Sequence, residues 1–584
     1  MMRKYRFLDA VCAVLVLVTI FGVLFHQASY RLEFKEQISI FLLGADRISW
    51  YLSNPGVIVS VLGDWLTQFY INSWTGVLLS MLLLLLTTAG LYRFYRIANP
   101  KHHAVMMLLI LPVLLEGYFI PFPNYPVSAT VGLTLSVWTA CALAHLKDSR
   151  FAPWIYGLSV PVMFVITGGH ALTLAFMLGY LKRRDAVQTL MCLLAGLIAM
   201  GLIGRLYNLT LLQTLIWPVY PKHIIPDVKW LLFEPALVVI VMVLSTLSSR
   251  IRNIRVRMLI IPFVLFLSDT LFLTTADKEL ENVIKIGTLA YRNDWQEVKR
   301  MASRETTNRY CIYYWHLCNA REGRLPDELL HGRWGLSSRG LFLSTGKGDP
   351  CFSMMYFTDA LLEIGDVSQA TDCAFLAQTV MPGHYSTRML RRLAEIGVVT
   401  GDYAVAYKYL NILSRTRNHR EWADDMIKCI EADSIPDQYL IWRSRTAQTD
   451  HFFAQGDIRS SLSILAQESP YNKVAIDYLL CSYLLDKNIN SFIESYERFY
   501  LGKLDQIVKV PDIYQEALLI NVNSNESLRE TVEKYHISQE IASKFIRLME
   551  VRSRSENPHV LTEEAAGTYW NYIMAVSLTN PNMK

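Results

Sequence analysis

Seven ionisable residues stand where they can do chemistry. Glu36, Asp46 and Asp64 lie between the first two apolar runs, Glu116 lies within the third, His170 follows a Gly-Gly break, and Arg205 and Lys222 occupy a later polar segment. Carboxylates supply a general base for an acceptor hydroxyl, and Arg and Lys neutralise a phosphate leaving group. These are the parts that a polyprenyl-phosphate-sugar transferase requires. On that reading Glu36, Asp46 and Glu116 are the catalytic acids, Arg205 and Lys222 take the phosphate, and Asp64 and His170 stand beside them. No spacing in the sequence forces the seven together. A competing reading has the loop acids solvating one side of interfacial helices. Glu116, Glu234 and Asp269 fall inside apolar segments, where an ionisable group defaults to a functional hypothesis. For Glu234 the preferred reading is snorkelling to the headgroups.

The elements that must position these residues follow from hydropathy and charge. The 584 residues carry 56 Lys+Arg and 51 Asp+Glu, a net of +5. Residues 1–276 hold 21 basic and 11 acidic groups, a net of +10, and the remaining 308 hold 35 and 40, a net of −5. This division excludes a single globular enzyme, a disordered chain, a fibrous repeat and a small disulfide scaffold. The basic excess sits in short clusters between apolar runs, not on a nucleic-acid-binding face.

Apolar runs near the length that a bilayer core needs, about 20 helical residues, occur at 7–28, 74–92, 104–121, 127–146, 152–168, 170–182, 186–204, 233–249 and 258–275. Residues 152–182 read either as one long helix or as two short ones broken at Thr167-Gly168-Gly169-His170. With nine segments every Lys/Arg cluster falls on one side, from Arg3, Lys4 and Arg6 to Arg250, Arg252, Arg255 and Arg257. With eight, the last cluster would have to be translocated, against the positive-inside rule. Nine segments are therefore predicted, with a cytoplasmic amino terminus and everything after residue 276 outside.

The first outer loop, 29–73, is rich in aromatic residues. The spacing of Ile38, Phe41 and Leu42, and of Val57, Val61 and Trp65, predicts short amphipathic helices at the interface, separated by the Asn54-Pro55-Gly56 turn. A long first outer loop carrying acids and interfacial helices resembles, in layout, the C-type integral-membrane glycosyltransferases. That resemblance implies a catalytic acid at Glu36 or Asp46 and a lipid-linked sugar donor, although no Asp-X-Asp or paired-acid signature occurs here. Glu36-Gln37, Asn54-Pro55-Gly56 and Thr67-Gln68-Phe69 resemble the opening loop of an uncharacterised family of bacterial multi-pass membrane proteins with helical-repeat tails. That family implies no activity.

After Ala276 the pattern is amphipathic and helical. Asn293-Asp294, Gly365-Asp366, Gly401-Asp402, Gln455-Gly456-Asp457 and Asp486-Lys487-Asn488 each sit between two helical stretches, at a period near 34, and so resemble tetratricopeptide repeats. Residues 325–350 interrupt the pattern. Thr345-Gly346-Lys347-Gly348-Asp349-Pro350 lacks the ending of a phosphate-cradling loop. Six cysteines lie in this half without metal spacing, and Cys373 and Cys481 read as buried thiols. No metal-ligand motif occurs, and a divalent metal enters only with the transferase reading.

The predicted fold is all-α: a polytopic membrane helix bundle, residues 1–276, followed by an α-solenoid of tetratricopeptide-like pairs, residues 277–584. The predicted location is the cytoplasmic (inner) membrane, with the second domain periplasmic or extracellular. The leading function is an envelope scaffold whose repeats hold a protein or peptide partner. The alternatives are the lipid-linked-sugar transferase, with a polyprenyl-phosphate sugar as partner, and a transporter. No nucleic acid is expected.

Overall fold

The computed structural model describes all residues except 1, 103–104, 182–184, 220–228, 251–258, 276, 332–333, 345–350, 382–384, 448, 450–457, 555–562 and 576–584. The fold is all-α, and no strand occurs among the described residues. The chain divides into two compact units. The first comprises 1–285 with the short segments 385–387 and 415–418, and the second comprises 286–384, 388–414 and 419–584.

Among the described residues of the first unit, six apolar helical stretches have membrane length: Phe7–Gln27, Trp74–Ala98, Val127–Ala144, Ala186–Leu206, Leu231–Ser248 and Ala152–Tyr180, of which the last is broken at Gly168–His170. A 21-residue helix is about 30 Å long, the thickness of a hydrocarbon core. Two further segments expected to span are shorter. Residues 104–121 form Met106–Leu109 (α1) and Leu111–Phe119 (α2), interrupted at Ile110. Pro112 stands in the first turn of α2, where its missing N–H is tolerated. Asp9, buried in the first span, accepts the Met106 and Met107 amide hydrogens at 2.6 and 3.1 Å and so caps the start of α1. The expected segment 258–275 is the 16-residue helix Ile260–Thr275.

Residues 152–182 are two helices, Ala152–Thr167 (α3) and Ala171–Tyr180 (α4), joined by a tight turn at Gly168–His170. The chain reverses there. Gly157 of α3 packs against Cys192 and Gly196 of the helix Ala186–Leu206, Gly168 meets Trp217 beyond that helix, and Gly179 of α4 returns to Leu193. Gly168 has φ +69°, and a Cβ there would stand 2.6 Å from the Trp217 carbonyl oxygen, so only glycine fits this turn.

In the first outer loop the helices are Ser29–Gln37, Ala45–Leu52 and Val57–Thr67, followed by a 3-10 turn at Gln68–Ile71. Val57, Val61 and Trp65 lie on a helix as expected. Residues 39–43, by contrast, are not helical, which corrects the expected helix around Ile38, Phe41 and Leu42. Ile38 and Ile40 alternate inward there, as extended chain allows, while Phe41 and Leu42 are half-buried and Leu43 is exposed. Val57–Thr67 does more than lie on a surface. It packs against Val127–Ala144 so closely that a Cβ on Gly63 would come 2.5 Å from the Ser128 Cβ.

The second unit is built from helix pairs that share one junction chemistry. Asn293, Gly365, Gly401 and Lys487 take positive φ, and each is followed by an N-capping Asp or Asn. Asp294, Asp366, Asp402 and Asn488 accept the amide hydrogens of Glu297, Gln369, Val405 and Ser491 at 3.2, 3.0, 3.1 and 3.2 Å. At three of these junctions the cap's own N–H closes the preceding helix, from Asp294 to Leu289, Asp366 to Leu361 and Asn488 to Tyr483. Two residues therefore satisfy the loose ends of two helices at once. The predicted turn at Gln455-Gly456-Asp457 and the segment 345–350 lie outside the described residues. Cys373 and Cys481 are buried free thiols, and no disulfide occurs among the described residues.

Candidate functional site

Glu116 sits on α2 and is 1% exposed. Its Oε2 accepts the Tyr125 hydroxyl at 2.8 Å, and its Oε1 accepts the Thr130 hydroxyl at 2.5 Å. Lys35, on Ser29–Gln37, reaches the same place. Its Nζ donates to the carbonyls of Ile120 and Tyr125, both at 2.7 Å, and stands 5.8 Å from the centre of the Tyr125 ring. Burial pulls the Lys35 ammonium down to about 7 against the opposing charge of Glu116. Glu234 completes the group. It is 2% exposed, interacts electrostatically with Glu116 and Tyr125, and its Oε1 accepts no hydrogen bond. The preferred reading of Glu234 as a snorkelling acid is corrected: the side chain is buried beside Glu116 and Tyr125.

The remaining predicted residues stand apart from this group. Asp64 accepts the Tyr51 hydroxyl at 2.7 Å and pairs with Arg47 at 2.9 Å, and the Arg47 guanidinium lies 4.1 Å from the Trp50 ring centre. Glu36 accepts the Asn418 side-chain amide at 3.0 Å, while its backbone carbonyl takes the Thr387 hydroxyl at 2.9 Å. Asp46 is exposed in the first turn of its helix, and Arg205 is exposed at the last turn of its own. His170 is buried against Gly132. Lys222 lies outside the described residues. The hydrogen bonds thus sort Glu116, Asp64 and Glu36 into three groups. Lys35, Tyr125 and Thr130 were absent from the sequence-derived set, and the one available signal was a lysine next to Glu36.

A second concentration of charge lies in the second unit. Asp359 is bridged by Arg388 at 2.9 Å and Arg392 at 2.7 Å and also accepts the Tyr314 hydroxyl at 3.0 Å. Glu395 pairs with Arg391 and Arg392, and Glu363 pairs with Arg321 and Arg445. The three carboxylates are nearly fully buried, as are Arg388 and Arg392. A cavity of about 270 Å³ opens at this network, walled by Trp295, Tyr439 and Trp442 together with Arg321, Arg392, Asp359, Glu363 and Glu395. No cluster of His, Cys, Asp and Glu suited to a metal ion occurs among the described residues.

A family model matches residues 3–575, and its description is "Family of unknown function (DUF6057)". The chain belongs to the DUF6057 family. No curated protein and no solved structure matches it. Membership covers both units, so the membrane-length helices and the helix pairs are parts of one DUF6057 architecture.

Proposed function

We propose that the chain is an integral-membrane scaffold whose second unit recruits a protein or peptide partner in the cell envelope. The observation that carries this reading is the repeated junction at 293–294, 365–366, 401–402 and 487–488, where one residue with positive φ and one capping Asp or Asn join successive helices. Helix pairs generated by one recurring device are the building plan of helical-repeat proteins of the tetratricopeptide kind, whose stacked pairs display side chains for partner recognition. The cavity beside the Asp359 network supplies a polar, aromatic-walled recess on that unit. The division of the chain after Lys285 and the charge asymmetry of the first half support a membrane domain with a cytoplasmic amino terminus that delivers the second unit to the outer side.

A transferase would need its acids to converge on an accessible cavity with cationic groups. Glu116 is enclosed with both oxygens engaged, and Asp46 and Arg205 are exposed, so the arrangement lends that reading less support.

A photo-crosslinking residue placed at Gln438, in the full chain and in its native membrane, is expected to yield one discrete protein adduct. The same residue at Arg529 is expected to yield none. If Gln438 and the other cavity positions give no adduct, the scaffold reading fails. Topology reporters fused after Arg257 and after Asn293 are expected to report opposite sides of the membrane, and the same side would refute the orientation.

A further inference from the structure

The first outer loop turns an apolar face to its surroundings. Ile48 and Leu52 lie one turn apart on the helix Ala45–Leu52, with Leu43 just before it, and all three are exposed, Leu52 by 61%. Ile58 and Trp65, two turns apart on Val57–Thr67, are exposed as well. The opposite sides of both helices point inward: Arg47 and Tyr51 are buried on the first, Val59 and Gly63 on the second. This is the reverse of a helix that meets water, which keeps its apolar stripe inside.

The charges of the segment point the same way. Between Leu43 and Trp74 the only carboxylates and guanidinium are those of Asp46, Asp64 and Arg47. Arg47 pairs with Asp64 at 2.9 Å, and Tyr51 donates its hydroxyl to Asp64 at 2.7 Å, so this pair is satisfied within the loop. Asp46 alone is exposed, in the first turn of its helix, where a carboxylate suits the positive end of the helix dipole. The outward face is therefore almost free of charge, and an exposed apolar patch of this kind marks an interaction surface.

Position and continuity identify what covers it. The Gly56 N–H donates at 3.2 Å to the carbonyl of Phe164, one turn before the end of α3, and Gly63 packs on Ser128 in the first turn of Val127–Ala144. Val57–Thr67 thus crosses the ends of two apolar helices of the bundle, at the depth where hydrocarbon gives way to headgroups. Beyond it the chain passes through exposed Ile71 to Trp74, and the exposed side of the span Trp74–Ala98 continues at Leu78, Leu82 and Leu85, at helical spacing. The loop's apolar face runs on into the outward stripe of a membrane-length helix, and Trp65 and Trp74 stand where tryptophan concentrates, at the bilayer edge.

We infer that the helices Ala45–Leu52 and Val57–Thr67 are seated in the lipid leaflet, with Leu43, Ile48, Leu52, Ile58 and Trp65 among the acyl chains. The loop is held in the membrane surface as a monotopic element and does not extend into the aqueous phase. Every residue involved belongs to the first unit, so the inference is independent of the scaffold reading.

The test places a benzophenone-bearing phenylalanine analogue singly at Leu52, Ile58, Leu82 and Arg529 of the full chain, in nanodiscs of phosphatidylethanolamine and phosphatidylglycerol. After illumination the adducts are identified by intact mass. Lipid adducts are expected at Leu52 and Ile58, in yields comparable to that at Leu82, and none at Arg529, an exposed position of the second unit. Ile58 carries the test if the Leu52 variant does not fold. A lipid adduct at Leu82 with none at Leu52 or Ile58 would place the loop in water and overturn the inference. An adduct of the mass of a second chain at those positions would overturn it by assigning the face to another copy. A lipid adduct at Arg529 as strong as that at Leu52 would overturn it by showing that labelling does not report insertion. Lipid adducts at none of the four positions would overturn it together with the membrane reading of the first unit.

Discussion

The two units bury charge in opposite manners. In the first, a single ammonium, Lys35, faces the carboxylate of Glu116, which itself stands near Glu234, and spends its hydrogen bonds on the backbone carbonyls of Ile120 and Tyr125. In the second, each of three carboxylates is held by two arginines. The buried group around Glu116 is thus short of positive charge and leaves Glu234 Oε1 without a hydrogen bond, whereas the network around Asp359 holds more guanidiniums than carboxylates. The guanidinium explains much of the contrast. It offers five donors in a rigid fork and stays charged when buried, so one arginine can serve two acids, as Arg392 does. An ammonium is a point charge whose proton is readily lost on burial, and Lys35 shows that tendency.

Breaking the second network should have the largest effect. Asp359→Ala strands Arg388 and Arg392 without their shared counter-charge, and removing one partner of a buried ion pair typically costs about 3–5 kcal/mol. Chemical denaturation of the full chain in micelles measures this, and a loss below 1 kcal/mol would mean that the network contributes little to stability.

A smaller loss, about 1–3 kcal/mol, is expected for Lys35→Met, which leaves the Ile120 and Tyr125 carbonyls without their donor. The same variant carries a pH signature. Lys35 is lowered from 10.5 to about 7, so between those values the folded chain binds fewer protons there than the unfolded chain. Its contribution to stability therefore grows as pH rises through that window and is lost as pH falls toward 7. Melting curves of the parent at pH 7 and pH 9 should show the rise, and in Lys35→Met it should flatten. An unchanged slope would assign the rise to other groups.

The smallest effect sharpens the contrast. Glu234→Gln removes like-charge repulsion with Glu116 and gives up no hydrogen bond at Oε1, so a change within about 1 kcal/mol, neutral or stabilising, is expected. A severe loss would show that Glu234 has a partner essential to the fold.

What was legible in the sequence was what is local. Apolar run length identifies membrane-length helices because it operates within about 20 residues. The junctions at Asn293-Asp294, Gly365-Asp366, Gly401-Asp402 and Lys487-Asn488 were legible because a left-handed residue and a cap need only each other and the adjoining turns. The reversal at Gly168–His170 was visible as a Gly-Gly pair. The failures are long-range. Glu36 takes its amide from Asn418, 382 residues onward, and Lys35 donates to Tyr125, 90 residues onward. Nothing in the spacing of Arg388, Arg391 and Arg392 separates buried guanidiniums from a solvated face. The helix expected at Ile38, Phe41 and Leu42 failed because a short apolar run, Ile40 to Leu43, fits an extended segment as well as a helix.

The two-residue junctions also bear on how the second unit forms. Closing a loop of two residues demands little chain entropy, so helices flanking Asp366 or Asn488 meet their neighbours almost as soon as both exist. Contacts of this kind have short sequence separation and are associated with fast folding. The bridges from Asp359 to Arg388 and Arg392 span 29 and 33 residues and join different helix pairs. The junctions thus tie helices within a pair over two residues of chain, and the arginine bridges tie one pair to another over about thirty.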